Sequence, residues 1–317
     1  MSVKLQQLRY LREVVRSGLS ISEAAKALHT SQPGVSKQIQ MLEEQLGVRV
    51  FERHGKRIVG VTAPGQAVLS IAERLLAETE NLKRVGEEFR NEGSGTFTIA
   101  TTHTQARYVL PQTVKRFMAL YPAVQLNLHQ GNPMQVAQQA ASGEVDLAIA
   151  TEAVEHFKEL VLLPCYQWNR SVVVPVDHPL TKEKPLTLEA IARYPLVTYD
   201  SAFTGRTQMN KAFERRALTP NIVLTAIDAD VIKTYVELGL GIGIIASMAF
   251  DPKRDASLRA IDVSHLFESS TTRIGLRRGA YLRRYVYDFI HLFAPHLTRE
   301  TVDAAMRGGA EGATYEI

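Results

Sequence analysis

Two groups of residues in this 317-residue chain have the types and spacing to do chemistry. One is a pair of loops that would each lead from a strand into a helix: Thr101-Thr102-His103-Thr104-Gln105 and Phe203-Thr204-Gly205-Arg206, with Thr151 closing a further strand. Hydroxyls, an amide and free backbone N–H groups at facing helix starts make a seat for a small anion or carboxylate. Any one of these threonines is adequately explained as a helix cap; their convergence from two similar loops is what favours a ligand. The other group, Gln32, Ser36, Lys37 and Gln40, follows Ser31 and Pro33 at the start of a helix. Short polar side chains there can enter a major groove and reach base edges and phosphates, although a helical hairpin with a solvated face has the same pattern. Covalent catalysis is a poor fit. Cys165 is the only cysteine, with no helix start or charge partner near it to lower a thiol pKa. Gly239-Leu240-Gly241-Ile242-Gly243 follows a helix and opens a strand, the reverse of a dinucleotide loop. His103 has no second His, Cys or carboxylate at ligand spacing. No enzyme, cofactor or metal site is expected.

The polar helix start must be held by a small head. Ser20 caps a helix with Glu23 three residues on, and Ala24, Ala25 and Ala27 allow a second helix to cross closely. Ser31 caps that second helix, Pro33 is harmless in its first turn, and Val35, Ile39, Leu42 and Leu46 form its inner face. A preceding helix turns Leu5, Leu8, Leu11 and Val15 inward. After Gly47, residues 48–62 alternate apolar and basic residues about a glycine turn, a small hairpin whose Arg53, Lys56 and Arg57 suit backbone phosphate. Residues 1–65 hold ten Lys/Arg against five Glu, whereas the remainder is nearly balanced at 27 basic and 28 acidic. A basic excess confined to one small domain is the footprint of a nucleic-acid partner.

The anion loops need a larger scaffold. Residues 65–90 read as one long helix with Val68, Ile71, Leu75, Leu82, Val85 and Phe89 on a heptad seam that Glu78 interrupts, a linker that pairs with a second copy. A two-fold dimer would offer two reading helices to a pseudo-palindromic double-stranded DNA site. Residues 91–95 read as a joint. From 96 onward strand–helix–strand–helix–strand occurs twice: strands at 97–101, 124–129 and 146–151 with helices at 105–120 and 134–142, then strands at 195–199, 221–226 and 241–247 with helices at 205–216 and 230–238. Two parallel-sheet lobes are expected, with crossovers at 165–170 and 266–270 and a last helix at 281–293 returning to the first lobe. The expected division is a winged helix-turn-helix at 1–65, linker at 66–95 and a two-lobed α/β effector domain at 96–317. Lobe I covers about 96–165 and 267–300, and lobe II about 168–265. No signal peptide and no bilayer span is read, so a cytoplasmic protein is expected.

The run Ala24-Ala25, Thr30-Ser31-Gln32-Pro33-Gly34-Val35-Ser36-Lys37-Gln38-Ile39, Leu42-Glu43, Leu46-Gly47 and Phe51-Glu52-Arg53 resembles the winged helix-turn-helix of the LysR-type transcriptional regulators. Thr62-Ala63-Pro64-Gly65 departs from the family, which more often has Ala before the Gly. The body segments around Thr101–Tyr108, Ala148–Ala153, Leu163–Arg170, Phe203–Arg206, Asp228–Tyr235 and Phe293–Arg299 resemble the regulators of cysteine synthesis and sulfonate use within that family. That resemblance implies a periplasmic-binding-protein-like effector domain and an activator responding to N-acetylserine, O-acetylserine, sulfate or thiosulfate. The sulfonate branch implies sulfate or adenosine phosphosulfate. It further implies that Thr102, Thr104, Gln105, Thr151 and Thr204 hold the anion with Trp168 lining the cleft, and that a homotetramer contacts RNA polymerase. The tail after Arg299 departs from the pattern and is given no role.

Overall fold

The computed structural model describes residues 2–55, 57–90, 93–200 and 204–308. It divides into two compact units, 1–87 and 88–317.

In the first unit α1 (Leu5–Arg16), α2 (Ile21–Ala27) and α3 (Gln32–Leu46) precede a hairpin of β1 (Phe51–His54) and β2 (Arg57–Val61), and α4 (Ala63–Arg90) follows. Ser20 Oγ accepts from Glu23 N and Ser31 Oγ from Gly34 N, each at 3.3 Å, so both expected caps form. Gly47 ends α3 in the left-handed region at φ 70°. Leu11, Val14, Ala24, Val35, Ile39, Leu42 and Phe51 make the core. Two inner faces differ from expectation. On α1, Leu8 and Leu11 are buried and Val15 packs half-buried against the core, while Leu5 is exposed and Gln7 and Val14 are buried beside them. Gln7 Oε1 turns back to accept from Lys4 N at 2.8 Å, which satisfies one end of its buried amide. On α3, Leu46 is exposed and Glu43 is buried in the last turns.

Helix α4 starts against the strand before it. A Cβ on Gly65 would lie 2.1 Å from the Val50 carbonyl oxygen, so only glycine fits. Thr62 supplies the cap: its hydroxyl donates to Arg49 O at 2.6 Å and accepts from Gly65 N at 2.9 Å. The departure from the family at this point is therefore a working helix start. The early turns of α4 give Val68, Leu69, Ala72 and Leu76 to the head's core. Ile71, Leu75, Leu82 and Phe89 stay exposed, Phe89 at 84%. Only the Val68 end of the expected seam is taken up by the chain's own head.

The second unit contains β3 (Ser94–Thr101), a single π-turn (Gln105–Val109), α5 (Leu110–Leu120), β4 (Ala123–Gln130), α6 (Pro133–Ser142), β5 (Leu147–Ala150) and β6 (Leu160–Trp168). It continues through β7 (Arg170–Pro175), α7 (Leu188–Ala192), β8 (Leu196–Tyr199), α8 (Thr204–Arg215), β9 (Ile222–Ala226), α9 (Ala229–Glu237) and β10 (Ile242–Ala246). It ends with β11 (Leu258–Asp262), β12 (Ser270–Arg277), α10 (Arg284–Phe293) and α11 (Arg299–Met306). Two five-stranded sheets result, ordered β4-β3-β5-β12-β6 and β11-β7-β10-β8-β9.

The expectation of two purely parallel lobes is corrected. β3 is parallel to β4 and β5, and β8 to β9 and β10, but β12 is antiparallel to β5 and β6, and β7 to β10 and β11. The physical reason is the double crossing. A strand that leaves one lobe and its return from the other run in opposite directions, so both sheets become mixed. Only Asn169 separates β6 from β7, whereas residues 263–269 separate β11 from β12. Lobe I is cored by Phe97, Phe117, Tyr285 and Phe289, whose rings meet at 5.2–6.4 Å. This ring set seats α10 on α5, and truncating one of its phenylalanines costs about 3–5 kcal/mol. Lobe II is cored by Val172, Val174, Leu196, Phe213, Ile242 and Ile244. In α11, Thr298 caps the first turn and Val302 and Ala305 are buried, so part of the tail given no role completes lobe I.

Candidate functional site

On the head, Ser31, Gln32, Pro33, Lys37, Gln40 and Arg57 are exposed and Ser36 is half-buried. Ser36, Gln40 and Arg53 share a groove of about 470 Å3 with Glu43, Gly47 and Arg49, between α3 and the hairpin. Gln32 and Arg57 share a second, about 580 Å3, with Ser20 and Ser22. Ser31 uses its hydroxyl as the α3 cap. Lys56 lies outside the described residues. Arg49 and Glu43 were missed as groove residues; the alternation of basic residues after Gly47 was the signal for Arg49.

In the body, Thr102, His103, Thr104, Gln105, Thr151 and Trp168 line one cavity together with Pro133, Tyr199, Ile227 and Ala246. The loops follow the carboxyl ends of β3 and β5, and Tyr199 and Ala246 end β8 and β10, so the cavity lies where open parallel strands from both lobes point. Its volume is about 50 Å3, far below the ~300–1,000 Å3 of drug-sized pockets. Neither Thr104 nor Thr151 makes a side-chain cap bond; the Thr104 hydroxyl instead meets that of Tyr199 at the cavity wall. Trp168 Nε1 and His103 Nδ1 are buried without a hydrogen-bond partner. Gln105 is buried and partly engaged: its Nε2 donates to Thr272 Oγ1 at 3.2 Å and its Oε1 accepts from the Tyr166 hydroxyl. It therefore holds the loop to lobe I as well as lining the cavity. Burial pushes the Tyr166 and Tyr199 hydroxyls up to about 12, so both stay neutral donors. Thr204 opens α8 in lobe II, and its side chain lies outside the described residues, as does Phe203.

His103 is not as isolated as its sequence neighbours imply. Asp228 and Asp230 bring a carboxylate oxygen each to within 4.8 Å of its ring nitrogen and of each other. They come from lobe II, more than 120 residues away. Asp230 is already occupied, however. Its Oδ1 accepts from the Tyr108 hydroxyl at 2.5 Å and faces Lys233 Nζ at 3.4 Å, and its Oδ2 meets Arg107 Nε at 2.5 Å. Two cations on one carboxylate oppose a divalent ion. Burial pushes Asp230 upward, but the Tyr108 hydrogen bond, Lys233 and Arg107 outweigh it and hold the carboxyl below its ordinary range. Lys233 is buried, donating to Ala249 O and both Asp255 oxygens at 2.9 Å and to Tyr108 at 3.0 Å.

This set crosses the lobes, since Arg107 and Tyr108 sit on the π-turn directly after the Thr102–Gln105 loop and Asp230 and Lys233 on α9. A second tie lies at the crossovers. Buried Arg170 donates to Glu268 O at 3.0 Å and Ser270 Oγ at 2.9 Å, with its guanidinium 5.1 Å from the Trp168 ring. The lining residue Trp168 is thus stacked on the residue that joins the two crossover strands.

A winged, basic reading head joined in one chain to a hinged two-lobed receptor defines a ligand-responsive DNA-binding regulator. Residues 5–66 match the bacterial regulatory helix-turn-helix proteins of the lysR family and residues 90–298 the LysR substrate binding domain. The chain belongs to the LysR family of transcriptional regulators, which are not enzymes. It is 54% identical to the HTH-type transcriptional regulator CysB of Burkholderia cenocepacia, over 99% of this chain and 100% of that one. To the regulator SsuR of the same organism it is 53% identical, over 96% and 99%. Among solved structures, the cofactor-binding domain of the Cbl transcriptional regulator is 46% identical with a TM-score of 0.66, covering 68% of this chain and 95% of that one. No helix among the described residues is long and apolar enough to cross a membrane.

Proposed function

We propose that the chain activates genes of sulfur assimilation and cysteine synthesis, binding a small anionic effector between its lobes and passing the change to paired DNA-reading heads. The observation that carries this is the convergence of uncapped Thr104 and Thr151 hydroxyls and the unpartnered Trp168 Nε1 on one cavity, in a chain more than half identical to CysB from end to end. Thr102, Thr104, Thr151, Thr204 and Trp168 are the effector contacts in this reading, with Gln105 as contact and loop anchor. Ser31, Gln32, Pro33, Ser36, Lys37, Gln40, Arg53, Lys56 and Arg57 serve DNA. Functionally the head is 1–65, the linker 66–95 and the body 96–317. The exposed Ile71, Leu75, Leu82 and Phe89 pair two copies, a homotetramer assembles from the dimers, and RNA polymerase is the downstream partner. The effector acts by its differential affinity for two lobe arrangements, typically ~1–3 kcal/mol, through a hinge at the two crossovers.

The small cavity favours a second reading of the effector. About 50 Å3 suits a compact oxyanion such as sulfate or thiosulfate better than an acetylated amino acid, so a sulfate sensor of the Cbl kind is the alternative; adenosine phosphosulfate, larger than either acetylserine, would need the cleft to open further. Calorimetric titration with N-acetylserine, O-acetylserine, sulfate, thiosulfate and adenosine phosphosulfate, repeated on Thr102→Val, separates the two. Saturable acetylserine binding lost in the variant supports the cysteine regulator. Binding of sulfate or adenosine phosphosulfate alone supports the other, and no binding of any of the five overturns both.

A further inference from the structure

The described side chains of the head include one buried carboxylate, Glu43, which lies at the floor of the groove lined by Ser36, Gln40 and Arg53 and joins the reading helix to the hairpin. It lies in the last turns of the reading helix α3 with its side chain only 5% exposed. Oε1 accepts from Val50 N at 2.9 Å and from Phe51 N at 3.3 Å, the backbone where the hairpin begins. Oε2 faces Arg49 Nη1 at 3.7 Å and Arg53 Nη2 at 3.8 Å. Those separations are ionic rather than hydrogen-bonded, so the guanidinium groups are oriented without their N–H groups being consumed. The same short backbone stretch carries α4: Arg49 O accepts from Thr62 Oγ1, Val50 O accepts from Thr62 N at 3.1 Å, and Gly65 packs against Val50. Reading helix, wing and linker helix therefore meet at residues 49–51, and one carboxylate fixes the first of them to the other two.

We propose that Glu43 is the positioning residue for DNA reading: it sets the wing at a fixed distance from α3 and holds Arg49 and Arg53 at the groove they share with Ser36 and Gln40. A buried carboxylate is costly unless its oxygens are satisfied, and here the satisfying groups are the ones whose placement decides whether a duplex fits. The arrangement also restrains the wing electrostatically. While Glu43 is charged, Arg49 and Arg53 are partly neutralised and favour a duplex that also fits α3 over any phosphate backbone. Sequence selectivity, rather than affinity, is what the residue controls.

Two substitutions separate reach from charge. Glu43→Gln keeps an acceptor for Val50 N and removes the charge; Glu43→Asp keeps the charge and cannot span to Val50 N. The probes are the duplex that wild-type protein enriches from a random-sequence pool and a scrambled duplex of the same length and composition, read by fluorescence anisotropy across a salt series. Glu43→Gln is expected to bind the scrambled duplex several-fold tighter, with a steeper salt dependence of up to about one further counterion per released arginine, and to lose at least tenfold in the ratio of selected to scrambled affinity. Glu43→Asp is expected to weaken the selected duplex alone, with an unchanged salt slope. In an Arg49→Ala, Arg53→Ala background, Glu43→Gln should no longer tighten scrambled binding. An unchanged affinity ratio in both variants overturns the proposal, and so does an equal loss on both duplexes. If Glu43→Gln does not fold, the ratio in Glu43→Asp decides alone.

Discussion

Tyr108→Phe is the most informative single change in the body, because it removes one oxygen from the contact between the lobes and leaves the ring in place. That oxygen donates to Asp230 Oδ1 at 2.5 Å and accepts from Lys233 Nζ at 3.0 Å. A hydrogen bond to a charged group is worth about 1.5–3 kcal/mol net. Asp230 keeps Arg107 and Lys233, Lys233 keeps Ala249 and Asp255, and the site is partly open to water, so the lower end applies. About 1.5 kcal/mol is close to tenfold in the balance between closed and parted lobes. The sign follows from cavity size. At about 50 Å3 the cleft must open to admit N-acetylserine, whereas sulfate fits a small widening. Loosening the tie therefore lowers the cost of opening, and N-acetylserine should bind Tyr108→Phe about tenfold more tightly while sulfate affinity stays within twofold. Calorimetry with both compounds on wild type and variant measures this directly. Equal shifts for the two compounds, or weaker acetylserine binding in the variant, would refute the idea that these four residues gate the cleft.

Other expected outcomes test separate parts of the molecule. Lys37→Ala should weaken DNA binding and reduce the salt slope by about one, with calorimetric effector affinity intact. Thr102→Val should do the reverse, lowering oxyanion affinity about 10- to 100-fold for a charged hydrogen bond and sparing basal DNA binding. If it instead abolished DNA binding with effector affinity unchanged, the cleft assignment would fall. Leu82→Asp places a charge on the exposed side of α4 and should convert dimers to monomers in sedimentation velocity, while circular dichroism stays native. Alkaline pH should destabilise the fold. Burial raises the Cys165 thiol from an ordinary value near 9 to about 12, so its stabilising effect is complete below pH 9 and is lost as the unfolded chain ionises first. Between pH 9 and 11 the loss is about 1.4 kcal/mol per pH unit, and Cys165→Ala should flatten the urea-stability profile by that one-proton slope.

Much of the scaffold is legible locally. Ser20, Ser31 and Gly47 mark helix ends through groups within four residues, and the three mutually parallel strands of each lobe, β3 to β5 and β8 to β10, are short apolar runs between turn signals. The strands that sequence reading passed over are β6, β7, β11 and β12. Each straddles or adjoins a crossover, and the first carries Pro164, a residue that argues against a sheet interior. Their existence depends on partners such as Ile274 opposite Leu163, more than a hundred residues distant. The site behaves likewise. Threonines at strand ends can be found by pattern, but the Gln105 bond to Thr272, the carboxylates beside His103 and the Arg107–Asp230 pair join residues that only the closed chain brings together. The inward Gln7 shows the same limit on a smaller scale: a polar residue beside Leu8 and Leu11 is buried, one end of its amide bound to Lys4 N, and apolar periodicity does not mark it.

The strand order of lobe I has a consequence for how the protein is made. β12 stands between β5 and β6, and β6 pairs with nothing else in its sheet. On the ribosome β6 emerges about a hundred residues before β12, and all of lobe II is synthesised in that interval. Lobe II can complete all but its first-emerging crossover strand's tether while lobe I waits with two unpaired strand edges, the kind of surface that chaperones shield and that neighbouring nascent chains join. Stalling or truncation just before β12, at about residue 269, should therefore yield a chain with one finished lobe and one adhesive one, and the quality of expressed material will depend on translation through that point more than on the stability of the finished fold.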